Sequence, residues 1–462
     1  MFISVLLNTF VQKIKQMNQT INNTKQTNFI PLLVIGILFF VFGFATWING
    51  ALIPILKTSC QLTDFVSYFV TFAFYISYFV MAIPSSKILH KIGFKNGMTV
   101  GLLVMTAGAL IFIPAATNRS YIIFLMGLFT LGTGLALLQT AVNPYVTILG
   151  PLESAAKRIS IMGICNKFAG VLAPIFLASI VLKDAEQLNA KLASITDNVL
   201  KTDLLNELSH RLIFPYLLMA GFLFALAIFV RFTNLPEIEQ VSGESENETK
   251  EKKSVFDFPQ LTFGVIALFF YVGVEVVAGD TIIRYGDSLG IPMASAKYFT
   301  SLMLMFMVVG YFIGVAFIPK YLSQRAALVG CSVTGMIFGL LAIFTPSNLQ
   351  FSLTFIDFTT FAQIELLIPY TVLFIALLGF ANSLVWPAIW PLALDGVGKF
   401  TKTASALLIM AIAGGATIPL AYGYLAQVFN TQSAYWIVIP CYLIILAFAL
   451  YNYRTKEKSV ID

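Results

Sequence analysis

From Phe29 onward the chain is a succession of apolar runs, each about 20 residues or longer, separated by short polar breaks. A helix rising about 1.5 Å per residue needs about 20 such residues to cross the hydrocarbon of a bilayer. The pattern predicts twelve spans, at 29–56, 65–86, 97–115, 120–147, 158–182, 211–233, 259–283, 297–319, 326–345, 366–392, 403–428 and 433–453. The segment 1–28 precedes them. Its apolar start, Met1 to Phe10, is short and lacks the basic flank of a signal sequence, and Met17 is an alternative start. After Pro236 the run EIEQVSGESENETKEKKS is charged and poor in apolar residues, so 234–256 is expected to be a disordered linker. It divides the chain into six spans at 29–233 and six at 257–453, with a tail at 454–462. The expected fold is all-α and integral to a membrane.

The halves repeat one another. Tyr78-Phe79 recurs as Tyr311-Phe312, Lys87 as Lys320, Leu89 as Leu322 and Gly97 as Gly330, all at one constant offset. Two pseudo-symmetric six-helix repeats with a site at their interface describe the major facilitator architecture. Channels and membrane enzymes do not require such duplication.

Composition agrees with immersion in lipid. Of 462 residues, 58% are hydrophobic and only 11% charged. Soluble domains carry about 25% charged residues, so a free soluble enzyme is not expected. The net charge of +6 does not point to nucleic acid, because the basic residues sit in short loops and form no stripe. They orient the chain instead. Lys13, Lys15, Lys25, Lys157, Arg158, Lys250, Lys252, Lys253, Arg454, Lys456 and Lys458 fall on one side, joined by Lys87, Lys91, Lys320, Arg325, Lys399 and Lys402. The short loops opposite hold Lys57, Arg119, Arg284 and Lys297. The positive-inside rule therefore places both termini in the cytoplasm. The opposite-side loop 183–210 adds Lys183, Lys191 and Lys201, and its Leu188, Leu192, Ile195 and Val199 have the spacing of an amphipathic surface helix. The four cysteines are far apart, and His90 and His210 are the only imidazoles. No disulfide framework, metal site or cofactor is expected.

A charge inside a span costs at least about 2.5–3.5 kcal/mol, so such residues are functional candidates. They are Lys167 in span 5 and Glu275, Asp280 and Arg284 in or beside span 7. Glu275 lies about 21 Å along its helix, past the midplane, where only a cavity or a partner can solvate it. A desolvated carboxylate exchanges its proton nearer neutral pH, which makes Glu275 a candidate for ion coupling and Lys167 its partner or a substrate ligand. The bland alternative is a snorkelling lysine and a static pair. Asp280 and Arg284, four apart, form either a pair that locks the helix end or a second coupling element.

Polar amides make a second constellation: Asn49, Gln139, Asn143, Asn166 and Asn382, with Trp386 and Trp390 on the same stripe as Asn382. Pro144, Pro174 and Pro387 interrupt the helical ladder nearby and free carbonyls that a cavity would accept. Amides donate and accept to adjacent hydroxyls, while a flat ring covers the C–H face of a pyranose. Together they suit an uncharged polyol, whereas an anion would call for an arginine cluster. Equally, amides glue helices together, tryptophans anchor at interfaces, and Gly36, Gly43 and Gly50 mark close helix contact.

The segment SSKILHKIGFKNG, Ser85 to Gly97, resembles the inner loop motif of major facilitators, with Ser86 and His90 replacing its glycine and acid. GLALLQTAVNPYVTILGP (Gly134 to Pro151), RISIMGICNKFAG (Arg158 to Gly170) and YVGVEVVAGDTIIRYG (Tyr271 to Gly286) resemble the fucose–galactose–glucose proton symporters, nearest their bacterial glucose/galactose branch. The resemblance implies uptake of a neutral hexose across the bacterial inner membrane by alternating access, driven by protons. It also implies carboxylates, in the fucose branch, at the places of Gly50 and Gln139. Neither residue titrates, which leaves Glu275 as the expected coupling acid and keeps sodium coupling or uncoupled diffusion open. A drug exporter, a membrane sensor and a membrane enzyme are the other classes. They would need, respectively, an amide-poor aromatic cavity, an output domain, and a nucleophile–base or metal cluster. No obligate protein partner is expected.

Overall fold

The computed structural model describes residues 29–148, 155–181, 191, 192, 194, 195, 197–233, 254–318, 321–356, 363–397 and 400–461. Among them twelve helices are long and apolar enough to cross a membrane. Spans 1 to 6 are Leu33–Ser59, Phe69–Leu89, Lys91–Thr117, Tyr121–Asn143, Ile161–Val181 and Asn198–Phe232. Spans 7 to 12 are Pro259–Asp280, Ser295–Phe317, Gln324–Phe344, Tyr370–Leu394, Thr403–Val428 and Ser433–Tyr451. Each lies over one of the apolar runs.

Breaks in the helices follow from the sequence. The continuous helix Phe69–Thr117 that carries spans 2 and 3 is kinked at Gly93, φ 77° and ψ 170°, a conformation that a Cβ would strain, inside the loop motif. Span 10 is two helices, Tyr370–Asn382 and Val385–Leu394. Pro387 has no N–H to offer the carbonyl of Ser383, and the helix breaks there. Span 6 begins with Asn198–His210, whose cap is Asp197 accepting from the Val199 N–H at 2.8 Å. The expected surface helix does not have the predicted face: Ile195 lies before the cap and outside this helix, Val199 is exposed, and it is Leu205 and Leu208 that face inward. Leu188 lies outside the described residues.

Beyond the spans there is a two-stranded antiparallel hairpin, β1 (Gln350–Ile356) with β2 (Gln363–Pro369). Its register pairs Phe351 with Ile368 and Leu353 with Leu366 on one face, and Ser352 with Leu367 and Thr354 with Glu365 on the other. Span 10 accordingly begins at Tyr370, four residues later than the hydropathy suggests, because 366–369 belong to β2. At the chain's end the last helix continues to Ile461, past the expected tail boundary. The segment 1–28 and most of the linker, 234–253, lie outside the described residues; Ser254 caps a 3₁₀ turn at Val255–Asp257.

Within the first half, span 1 packs on span 5 so closely that a Cβ on Gly43 would overlap the Asn166 carbonyl. The halves meet where span 2 packs on span 11, span 5 on span 8, and the end of span 1 on span 7. An even number of spans puts both termini at one end of the bundle. At the opposite end the halves are joined by Arg284 to Asp64 at 2.9 Å, Lys297 to Ser179 at 3.3 Å and Thr71 to Asp280 at 3.2 Å. Ser301 also donates to the Val171 carbonyl at 2.7 Å. That end is closed.

Candidate functional site

Between the halves lies a cavity of about 130 Å³, many times the space one water needs. Its wall takes residues from spans 1, 2, 4 and 5 of one half and from spans 7, 8, 10 and 11 of the other. Asn143, Ile159 and Gly163 belong to the part of the bundle nearer the termini, so the cavity extends from mid-bundle toward that end.

Lys167 and Glu275 meet in it. The Lys167 ammonium donates to Glu275 Oε1, forming an ion pair between span 5 and span 7, and hence between the halves. Both side chains are about one-tenth exposed. The ammonium also stands 4.7 Å over the Trp47 ring, a cation–π contact that holds it on the first half. Glu275 reaches the pair because span 7 stays helical as far as Asp280, with Gly273 admitting Ile418 and Gly279, near the helix end, admitting the Trp47 ring.

The amides divide into two groups. Gln139, Asn143 and Asn166 line the cavity. Gln139 Nε2 donates to the Tyr78 hydroxyl at 3.0 Å, which directs its carbonyl oxygen elsewhere. Asn166 Nδ2 donates to the Phe39 carbonyl at 3.3 Å, tying span 5 to span 1. Asn49 and Asn382 are different. Both are fully buried and neither belongs to the cavity wall, so the structure does not bring these two expected substrate ligands to the site. Asn382 Oδ1 accepts from the Tyr442 hydroxyl at 2.8 Å, which bonds span 10 to span 12. The helix break at residues 383 and 384 separates Asn382 from the turn that carries Trp386, so the expected i, i+4 stripe does not hold there. Trp386 does line the cavity, stacked on Trp390 with centroids 5.4 Å apart and tilted against Tyr271.

Asp280 and Arg284 are not a pair. Span 7 ends at Asp280, a new helix starts at Ile282, and the bend at Thr281 destroys the four-residue spacing. Arg284 instead bonds Asp64 of the other half and Asp287 of its own. Burial alone would raise the Asp64 carboxyl, but the bonds from Arg284 and from Lys57 outweigh it and hold Asp64 below the usual carboxylate range. Asp280 is wholly buried and accepts a hydrogen bond from the Thr71 hydroxyl.

The sequence reading missed the aromatic wall. Trp47, Tyr75, Tyr78, Tyr271 and Tyr311 all face the cavity, and Tyr75 and Tyr78 are stacked 6.2 Å apart. Tyr78 and Tyr311 are the repeat-related pair, so the constant offset carried a signal for them.

Residues 35–416 match the Major Facilitator Superfamily. A glucose/galactose transporter of Brucella abortus is 32% identical over 431 residues, covering 92% of this chain and 95% of its own. The L-fucose-proton symporter of Escherichia coli is 26% identical over 445 residues, covering 92% and 94%. Among solved structures, the transporter FucP in an outward conformation superposes with a TM-score of 0.68 at 24% identity, covering 92% of this chain and 99% of that one. A D-xylose-proton symporter gives 0.61 at 14% identity, covering 93% and 98%. Similarity running almost end to end, over the same twelve-span fold, gives the family: this chain belongs to the Major Facilitator Superfamily of membrane transporters.

Proposed function

We propose that the protein imports a neutral hexose across a bacterial inner membrane by proton symport, with both termini in the cytoplasm and the two halves rocking about the cavity. The observation that carries the reading is the cavity itself: amides and aromatic rings surround one buried ion pair that bridges the halves. The transporters of known sugars among the relatives agree with it. Gln139, Asn143, Asn166 and Lys167 would bond the sugar hydroxyls, and Trp386 would cover an apolar face of the ring.

The excess of Lys and Arg on the side of the termini makes the closed end the outer one. The conformation is then the one from which substrate leaves for the cytoplasm. Glu275, ionised, holds Lys167 and so holds the halves together. A proton on Glu275 removes the charge that grips the ammonium, and the halves are released to move. A proton suits this joint better than sodium, because it neutralises Glu275 without needing the room beside the carboxylate that the Lys167 ammonium already fills.

The test is uptake of labelled glucose, galactose and fucose into proteoliposomes, with pH and sodium gradients imposed separately. Uptake above equilibrium driven by an inward proton gradient and competed by unlabelled hexose is expected. Accumulation driven by sodium alone, or no hexose uptake at all, would contradict the proposal.

A further inference from the structure

Asp280 is a carboxyl group in the seam that closes the end opposite the termini. Its side chain has no exposed surface; Oδ2 accepts from the Thr71 hydroxyl of the other half, and Oδ1 has no hydrogen-bond partner among the described residues. Span 1 faces it with the backbone of Gly50, where a Cβ would come within 3.4 Å of Oδ1. From span 2 the neighbouring titratable groups are the phenols of Tyr68 and Tyr75. Span 8 offers the Thr300 hydroxyl, which donates to the Gly279 carbonyl. The cations of the neighbouring segments are bonded to other groups: Arg284 and Lys57 to Asp64, Lys167 to Glu275 and Lys297 to Ser179.

A carboxylate with no exposed surface and no ion pair to a cation among the described residues is among the costliest groups to bury, and one hydroxyl does not offset that cost. The halves can therefore close over Asp280 in its neutral form far more readily than in its charged form. Parting them at this seam uncovers it to water, where the charged form is stable.

We propose that Asp280 is a second proton-carrying residue and acts as the gate of this end: it must bind a proton for the halves to close over it, and it loses the proton when they part. The proposal rests on the two halves alternating, not on the sugar or on Glu275. The sign follows from linkage. The closed state binds the proton more tightly, so closure is favoured at low pH and weakens as pH rises, by up to about tenfold in the closed-to-open ratio per pH unit. Two such acids in series would let one proton close the outer end while another releases the central joint.

The experiment measures the separation of the halves by double electron–electron resonance on the full chain in liposomes. The native cysteines are replaced by alanine and spin labels attached to cysteines introduced at the exposed Thr117 and Phe429. Spectra are taken from about pH 5 to about pH 9, the range in which buried carboxyl groups have been found to titrate. The unsubstituted protein should lose its short-distance population as pH rises. Asp280→Asn, which keeps the shape and cannot ionise, should stay closed throughout. If Asp280→Asn shows the same pH dependence as its parent, or the parent shows none, the proposal is overturned. Thr71→Val is the second variant, informative even if the first does not fold. It removes a hydrogen bond that exists only when the halves are closed, so closure weakens and opening should move to lower pH; an unchanged profile would also overturn the proposal. Glu275→Gln separates the two readings. Loss of the pH dependence there but not in Asp280→Asn would assign it to the central pair and remove the gate, leaving the proposed function standing.

Discussion

Among the described residues two groups of charges join the halves of this protein, and they differ in how far water reaches them. At mid-bundle Lys167 and Glu275 are a lone pair with about one-tenth of each side chain exposed. At the closed end Asp64 takes bonds from both Lys57 and Arg284, with about a quarter of Asp64 and Lys57 still in contact with solvent. The chemistry is the same, but the consequences of breaking it are not. In the buried pair, removing one partner strands the other in a medium that cannot solvate it. In the outer cluster, water and salt replace whichever partner is lost. The first is suited to a switch that one proton throws, the second to a latch of modest strength.

Substitutions can break this contrast, starting with the largest effect. Lys167→Met should destabilise the protein by about 3–5 kcal/mol, read from thermal unfolding in detergent, because Glu275 is left charged and unpaired. The double substitution Lys167→Met with Glu275→Leu should regain most of that loss without regaining transport. A harmless single substitution would mean that the pair is solvated like a surface one. Next, Gln139→Ala should raise the KM for sugar by about two- to tenfold, the equivalent of one hydrogen bond. Asn382→Ala, outside the cavity wall, should leave KM unchanged while costing about 1–3 kcal/mol of stability through the stranded Tyr442 hydroxyl. Equal KM effects from the two would erase the division between wall and glue.

The smallest effect is expected at the outer cluster. Asp64→Asn should change stability by about 0.2–1 kcal/mol, and less at high salt. Its pH dependence runs opposite to that of a buried neutral acid. Because Arg284 and Lys57 hold Asp64 below its ordinary range, its contribution is complete above about pH 4 and lost as pH falls through the depressed value. Unfolding midpoints followed from about pH 6 down to about pH 3 in the native protein and the variant should converge at the acid end.

Much of this was legible in the sequence. Twelve runs gave twelve spans because a bilayer imposes one length on every helix that crosses it. Lys167 and Glu275 stood out because a charge inside an apolar run has few reasons to be there. The amides were less readable. Asn382 and Gln139 look alike in sequence, and only the partner, Tyr442 in one case and a shared cavity in the other, tells glue from wall. Tyr75, Tyr271 and Trp47 disappear in a chain with 43 Phe and 18 Tyr, where an aromatic residue says little about which way it faces. The hairpin left a trace, the alternation of Gln350, Ser352 and Thr354 with Phe351, Leu353 and Phe355, hidden beside the apolar start of span 10. Arg284 could not be assigned to Asp64 from sequence, because the bend at Thr281 that turns it away has no proline or glycine of its own to mark it.

On the proposed mechanism, the pair between Lys167 and Glu275 is a joint opened by a proton on Glu275. Its most direct test is sugar-driven alkalinisation: hexose is added outside weakly buffered vesicles containing the native protein or Glu275→Gln, and external pH is followed. The native protein should take up protons with the sugar, while the variant should bind or exchange sugar with no pH change. Undiminished proton uptake by Glu275→Gln would contradict the account.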